Sequence, residues 1–177
     1  MNKPTPNGTI LVAIDGSRNS LLAAGVAARM AAVLNTHLGL IHILDVPPLS
    51  FWVGVESRMK EDIRAQAEAR LTDTAARITE ACGVIPEFYI VEGVPEEEIQ
   101  RAVKGDPEIL MVVLGSHGVA TEKKAELRLH RRMGRLGAKL TEALPVPVML
   151  VPPDVPSSQI CSGLEEFVGA GAETTAG

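Results

Sequence analysis

Cysteine is scarce: Cys82 and Cys161 are the only two in 177 residues, one at a predicted helix end and one in the terminal segment. So placed, they support neither a disulfide framework nor a zinc site, and a reducing interior suits this usage. Aromatic side chains make up 3% of the chain against 46% hydrophobic residues overall, so the core must be built from Val, Ile, Leu and Ala. Cores of that kind favour an α/β fold. No apolar run approaches the roughly 18 residues of a membrane span, and residues 1–9 are polar and proline-bearing, unlike a secretion signal. Positive charge is also in deficit. A net charge of −5 and a pI near 5.4 argue against a general binder of nucleic acid or of anionic membrane. A cytoplasmic protein without nucleic-acid or membrane partners is expected. Missing too is the string Gly, four residues, Gly-Lys, Ser or Thr, which a P-loop enzyme requires.

The length suits one domain with a full core. We divide the chain into a flexible N-terminus over 1–9, a domain over 10–152 and a weakly ordered tail over 153–177. Ser, Gly, Ala and Thr dominate the tail around one small apolar cluster at Leu164 and Phe167.

Ile10 to Ile14 is a short apolar run closed by Asp15-Gly16-Ser17, which predicts a first buried strand. Ser17 or Ser20 can cap the helix after it, whose Leu22, Val26, Met30 and Val33 fall near one face before an end close to Asn35. His37 to Leu44 predicts a second strand, and a loop with Phe51 and Trp52 follows it. Those two rings suit packing on the domain's own core better than a lid over a ligand. Arg58 to Cys82 is the longest helical stretch, carrying Met59, Ile63, Leu71 and Ile78, with Gly83 as its stop. Pro86 to Val91 predicts a third strand, and Pro95 with Glu96, Glu97 and Glu98 suits a helix start.

Glu108 to Val151 organises the rest. Ile109 to Leu114 predicts a strand buried on both faces, ending in Gly115-Ser116-His117-Gly118. A basic segment follows, then Met133, Leu136, Leu140 and Leu144 at helical spacing, until Pro145-Val146-Pro147 ends the helix and opens a last strand. Strand, glycine loop and helix in that order can cradle phosphates. Strands alternating with helices call for a mostly parallel sheet covered on both faces, with a ligand site beyond the carboxyl ends of its strands. Asp15 and Gly115 both fall at such ends.

The pieces Ile10–Ser17, His42–Asp45, Glu92–Val94-Pro95, Leu114–Gly118 and Pro145–Val151, in this order, resemble the universal stress protein family. The resemblance implies a doubly wound sheet of five parallel strands in the order 3-2-1-4-5, with helices on both faces. It also implies a regulatory protein, not an enzyme, that binds ATP, with Mg left open as a companion ion. Asp15 matches the acid beside the nucleotide in binding relatives, Ala13 and Ile43 match positions that contact the base, and Leu114 lies next to the loop. Ile14, Gly115, Gly118, Gly134, Arg135 and Leu136 complete the candidate set.

The match to the family's ATP signature is incomplete. Fifteen residues separate Gly118 from Gly134, six more than the nine of the signature, and Arg135 stands where a Ser or Thr hydroxyl belongs. A longer loop costs ordering entropy and a hydroxyl donor is lost, although a guanidinium can also meet a phosphate. The alternative is therefore a docking module of the same fold whose loop no longer binds phosphate. Seven basic residues between Thr121 and Lys139 offer either a protein-partner site or a solvated helix face. His117 lacks an acidic partner in sequence, and His37, His42 and His130 are too dispersed for a metal site. The apolar last strand, Val148 to Val151, would lie at a sheet edge and pair two copies into a homodimer. A response-regulator receiver resembles this chain poorly, because Asp15 stands alone, Glu92-Gly93 end strand three and Pro152 follows strand five.

Overall fold

The computed structural model describes residues 7–44, 53–116 and 130–166, with the backbone alone described over 53–57 and 130–135. Five runs of branched aliphatics form β1 (Thr9–Ala13), β2 (His37–Leu44), β3 (Glu87–Glu92), β4 (Ile109–Gly115) and β5 (Val148–Val151). They build one parallel sheet in the order β3-β2-β1-β4-β5. Between them lie α1 (Arg18–Leu34), α2 (Val53–Cys82), α3 (Pro95–Gly105) and α4 (His130–Ala143). The expected fold class and strand order are both present.

Alternation along each strand sorts the core into two layers. Ile10, Val12, Ile14, Leu38, Leu40 and Val113 pack with the alanines of α1 and with Leu71 and Ile78 of α2. Leu11, Ile41, Val112 and Leu114 turn the other way, onto Ile99 and Val103 of α3, Leu140 of α4 and Leu144 just after it. Each such aliphatic side chain, fully buried, contributes about 1.5–3 kcal/mol. The scarcity of aromatics is thus met by many close-fitting small and branched groups.

Helix α1 is capped by Ser17, whose hydroxyl accepts from Ser20 N–H, and it closes on Asn35 in the left-handed region at φ 52°. Its buried face is Leu22 with Ala23, Ala24, Ala27, Ala28 and Ala31, while Val33, expected on that face, is 76% exposed. Val33 stands two residues, about 200°, around the helix from buried Ala31, so it points away from the alanine face that meets the sheet. Met59 is likewise 50% exposed. Helix α2 begins at Val53 and α4 at His130, both earlier than their apolar periodicity indicates. Phe51, Trp52, His117, Gly118 and the basic residues up to Arg128 lie outside the described residues.

The two cysteines are joined, contrary to the expectation from their number and spacing. Cys82, the last residue of α2, and Cys161 lie 79 residues apart in sequence, with Cα atoms 5.5 Å from each other. Composition places residues 153–166 in the tail, yet Ile160 is 3% and Leu164 1% exposed, both against α1. Arg29 Nη1 donates to Ile160 O at 3.1 Å. That packing carries Cys161 to the end of α2, a proximity no local pattern encodes.

Candidate functional site

Strand β1 is flanked by β2 and β4, whose connections leave in opposite directions, which makes the carboxyl end of β1 the topological switch point where sheets of this kind hold their ligands. Ala13 stands in register with Leu114 on one side and Ile41 on the other, and Ile43 with Val91. Ala13, Ile43 and Leu114 project to the face covered by α3 and α4, where Val91 and Leu136 join them. Leu114 is buried, whereas Ala13, Ile43, Val91 and Leu136 are only half-buried. Together they form a partly open apolar strip at the strand ends. Val91 was not singled out from the sequence; its in-register place beside Ile43 is the signal, visible once β2 and β3 are paired.

Ile14 belongs to the opposite layer and is 5% exposed. Its N–H donates to Ile41 O at 2.9 Å, and its carbonyl accepts from His42 Nδ1 at 2.6 Å. That bond puts the ring proton on Nδ1 and holds His42 against the end of β1.

Asp15 is half-buried and shapes the turn. Its Oδ1 accepts from Ser17 N–H at 3.0 Å and its own N–H donates to Ser20 Oγ at 3.3 Å. Gly16, at φ +82°, lets the chain double back there, and Arg70 of α2 reaches this turn: its Nη1 is 3.5 Å from where a Gly16 Cβ would stand. A cation from α2 therefore neighbours the carboxylate turn, a placement no motif announces.

Gly115 meets the start of α1. A Cβ on it would stand 2.9 Å from both the carbonyl carbon and oxygen of Asn19. Ser116 N–H donates to Val151 O at 2.9 Å, and its hydroxyl lies 3.4 Å from Asn19 Oδ1. The first glycine of the loop is thus required by packing as well as suited to a ligand's approach.

Gly134 and Arg135 fall inside α4, four and five residues after its first residue, His130. An N–H at that depth is already within the helical ladder, beyond the unpaired groups of the first turn. Leu136, one residue on, carries the half-buried edge of the strip. Gly118 lies outside the described residues. Lys139, from the basic run, bonds Glu96 of α3 at 2.5 Å. Among the described residues no group of three His, Cys, Asp or Glu side chains could hold a metal ion, and no helix is long and apolar enough to cross a membrane.

The model of the universal stress protein family matches residues 6–152. The chain belongs to that family. No curated protein matches it by sequence. Among solved structures, this universal stress protein is similar to the universal stress protein UspA from Lactobacillus plantarum, at TM-score 0.70 and 20% identity, with 84% of this chain and 99% of that one covered. It is similar to a universal stress protein in complex with cAMP, at TM-score 0.60 and 21% identity over 85% of this chain and 100% of the other. A third is the universal stress protein from Archaeoglobus fulgidus in complex with dAMP, at TM-score 0.53 and 18% identity over 83% and 97%. At these identities the likeness establishes the shared fold.

Proposed function

We propose that this universal stress protein is a regulatory protein that binds ATP at the end of β1 and does not turn it over efficiently. The observation that carries the reading is the half-buried strip of Ala13, Ile43, Val91 and Leu136, next to Asp15 and on one face of the sheet. An apolar slot with one acid at its rim suits a flat base with a ribose beside it. Relatives of the same fold in complex with cAMP and dAMP support an adenine nucleotide as the ligand class. Ala13, Ile43 and Leu136 would hold the base, Asp15 the ribose, and the loop from Gly115 to Gly118 the phosphates. Mg would accompany the phosphates if they are bound as a chelate. A cytoplasmic location belongs to the same proposal.

A second reading, a docking dimer of the same fold, is favoured by the position of Gly134 within α4 and by Arg135 after it. In that reading the basic run from Thr121 to Lys139 contacts a protein partner.

Calorimetric titration of ligand-stripped protein with Mg-ATP, AMP and cAMP separates the two. Binding in the range of about 1–100 μM, abolished by Ala13→Phe and weakened by Gly118→Val, supports the nucleotide reading. No heat with the wild type, and restored binding in Arg135→Ser, would establish instead that the loop has left phosphate binding.

A further inference from the structure

The match to the family ends at residue 152, and the disulfide joins the matched domain to the segment beyond it. We propose that Cys82 and Cys161 form a redox-operated clasp: oxidation locks residues 153–166 onto α1 and α2, and reduction releases them.

Four features shape the clasp. Ile160 and Leu164 seat against Gly25 of α1, where a Cβ would stand 3.0 Å from Ile160 Cγ2 and 3.6 Å from Leu164 Cδ1. Arg18 Nη1 and Arg29 Nη1 donate to the carbonyls of Pro153 and Ile160, at 3.5 and 3.1 Å. Gly163, at φ +100°, turns the chain beside Ala81, and its N–H donates to Glu165 Oε2 at 2.7 Å. Cys82 and Cys161 are themselves half-buried, so a small thiol can reach the bond.

Most of the buried core lies outside this segment. The layer under α3 and α4 contains none of its residues, and in the other layer only Ile160 and Leu164 are fully buried members drawn from it. Two aliphatic anchors and a few hydrogen bonds must offset the entropy of ordering the whole segment, a balance that the covalent tie shifts toward the closed form. Opening follows thiol–disulfide exchange. A dithiol reductant attacks one sulfur as thiolate, its second thiolate resolves the mixed disulfide, and two electrons and two protons pass to Cys82 and Cys161 while the reductant becomes a disulfide. Closing is the reverse, with a low-molecular-weight disulfide as the electron acceptor. In the cytoplasm proposed above the clasp rests open and closes under oxidation, the mode in which disulfides occur there.

The test uses the full chain, equilibrated with oxidised glutathione or with dithiothreitol, and reads thiol content and hydrogen exchange. The oxidised protein should show no reactive thiol and the reduced protein two. Amides of residues 157–164 should exchange ~10-fold faster or more on reduction, while those of β1 and β4 keep their protection. Cys161→Ser should show the fast exchange in both buffers. Two reactive thiols in the oxidised protein, unchanged exchange at 157–164 on reduction, or loss of protection throughout the sheet would each overturn the proposal. The last of these would make the bond a global staple. A redox response that persists in both Cys161→Ser and Cys82→Ser would likewise overturn it.

Discussion

Asn19 Nδ2 donates to Val151 O at 3.1 Å, tying the first turn of α1 to the end of β5. The same carbonyl accepts the N–H of Ser116, so one oxygen gathers the start of a helix, the exit of β4 and the last strand. The contact requires Gly115 to lie close against Asn19. Gly115→Ala should therefore cost about 1–3 kcal/mol, the usual range for overpacking a tight site. Urea unfolding reads it, and a midpoint equal to that of the wild type would mean the turn gives way freely.

Gly93 follows β3 at φ +147°, and a Cβ there would stand 2.7 Å from Glu98 Oε1. Glu98 is 8% exposed and held by Arg101 Nη1 at 2.5 and 2.6 Å. Gly93→Ala would strain the backbone and displace a buried carboxylate from its partner. A loss of about 1–3 kcal/mol is expected, with α3 the first element to lose amide protection. Uniform protection across α3 in the variant would refute this account.

Tyr89 is the sole tyrosine, so its titration is observed without overlap. Its hydroxyl donates to Glu87 Oε2 at 2.7 Å, which favours the neutral phenol, and burial adds to the effect; the pKa is pushed up to about 12 from 10.0. A raised pKa means the folded chain holds this proton more tightly than the unfolded one. The associated stability is present below pH 10 and is lost as pH rises from 10 through about 12. Because Tyr89 is 46% exposed, solvent screening keeps that contribution small. Absorbance titration should show Glu87→Gln returning the midpoint toward 10.0; an unmoved midpoint would assign the shift to something other than the carboxylate.

The homodimer is proposed through β5, which forms a sheet edge and exposes Leu150 to 43%. Val148→Lys places a charge in that edge and should shift sedimentation toward the monomer. Sedimentation equal to that of the wild type would move the interface elsewhere.

The alternation of strands and helices was legible because hydrophobic periodicity is a local property. Ile10 to Ile14 is offset from β1 by one residue at each end, and His37 to Leu44 coincides with β2. Residue type narrowed the cap to Ser17 or Ser20, of which the structure uses Ser17, and it marked the helix end near Asn35. The structure brings only part of the candidate set together. Ala13, Ile43, Leu114 and Leu136 converge, whereas Ile14 turns into the opposite layer and Gly134 with Arg135 lie inside a helix that begins earlier than expected. A cationic and apolar run gives no sharp start signal, so the first turn of α4 had no marker.

By itself the sequence determined the fold class and the turn at Asp15-Gly16-Ser17 through short-range patterns, and the family through its motifs, with the strand order implied by that resemblance. Only the tertiary structure decided the pairing of Cys82 with Cys161, the meeting of Asn19 with Gly115 and Val151, and the place of Val91 and Arg70 near the end of β1. The reason is physical: side-chain period and turn chemistry act over a few residues, while each of these contacts depends on how whole elements pack across the sheet.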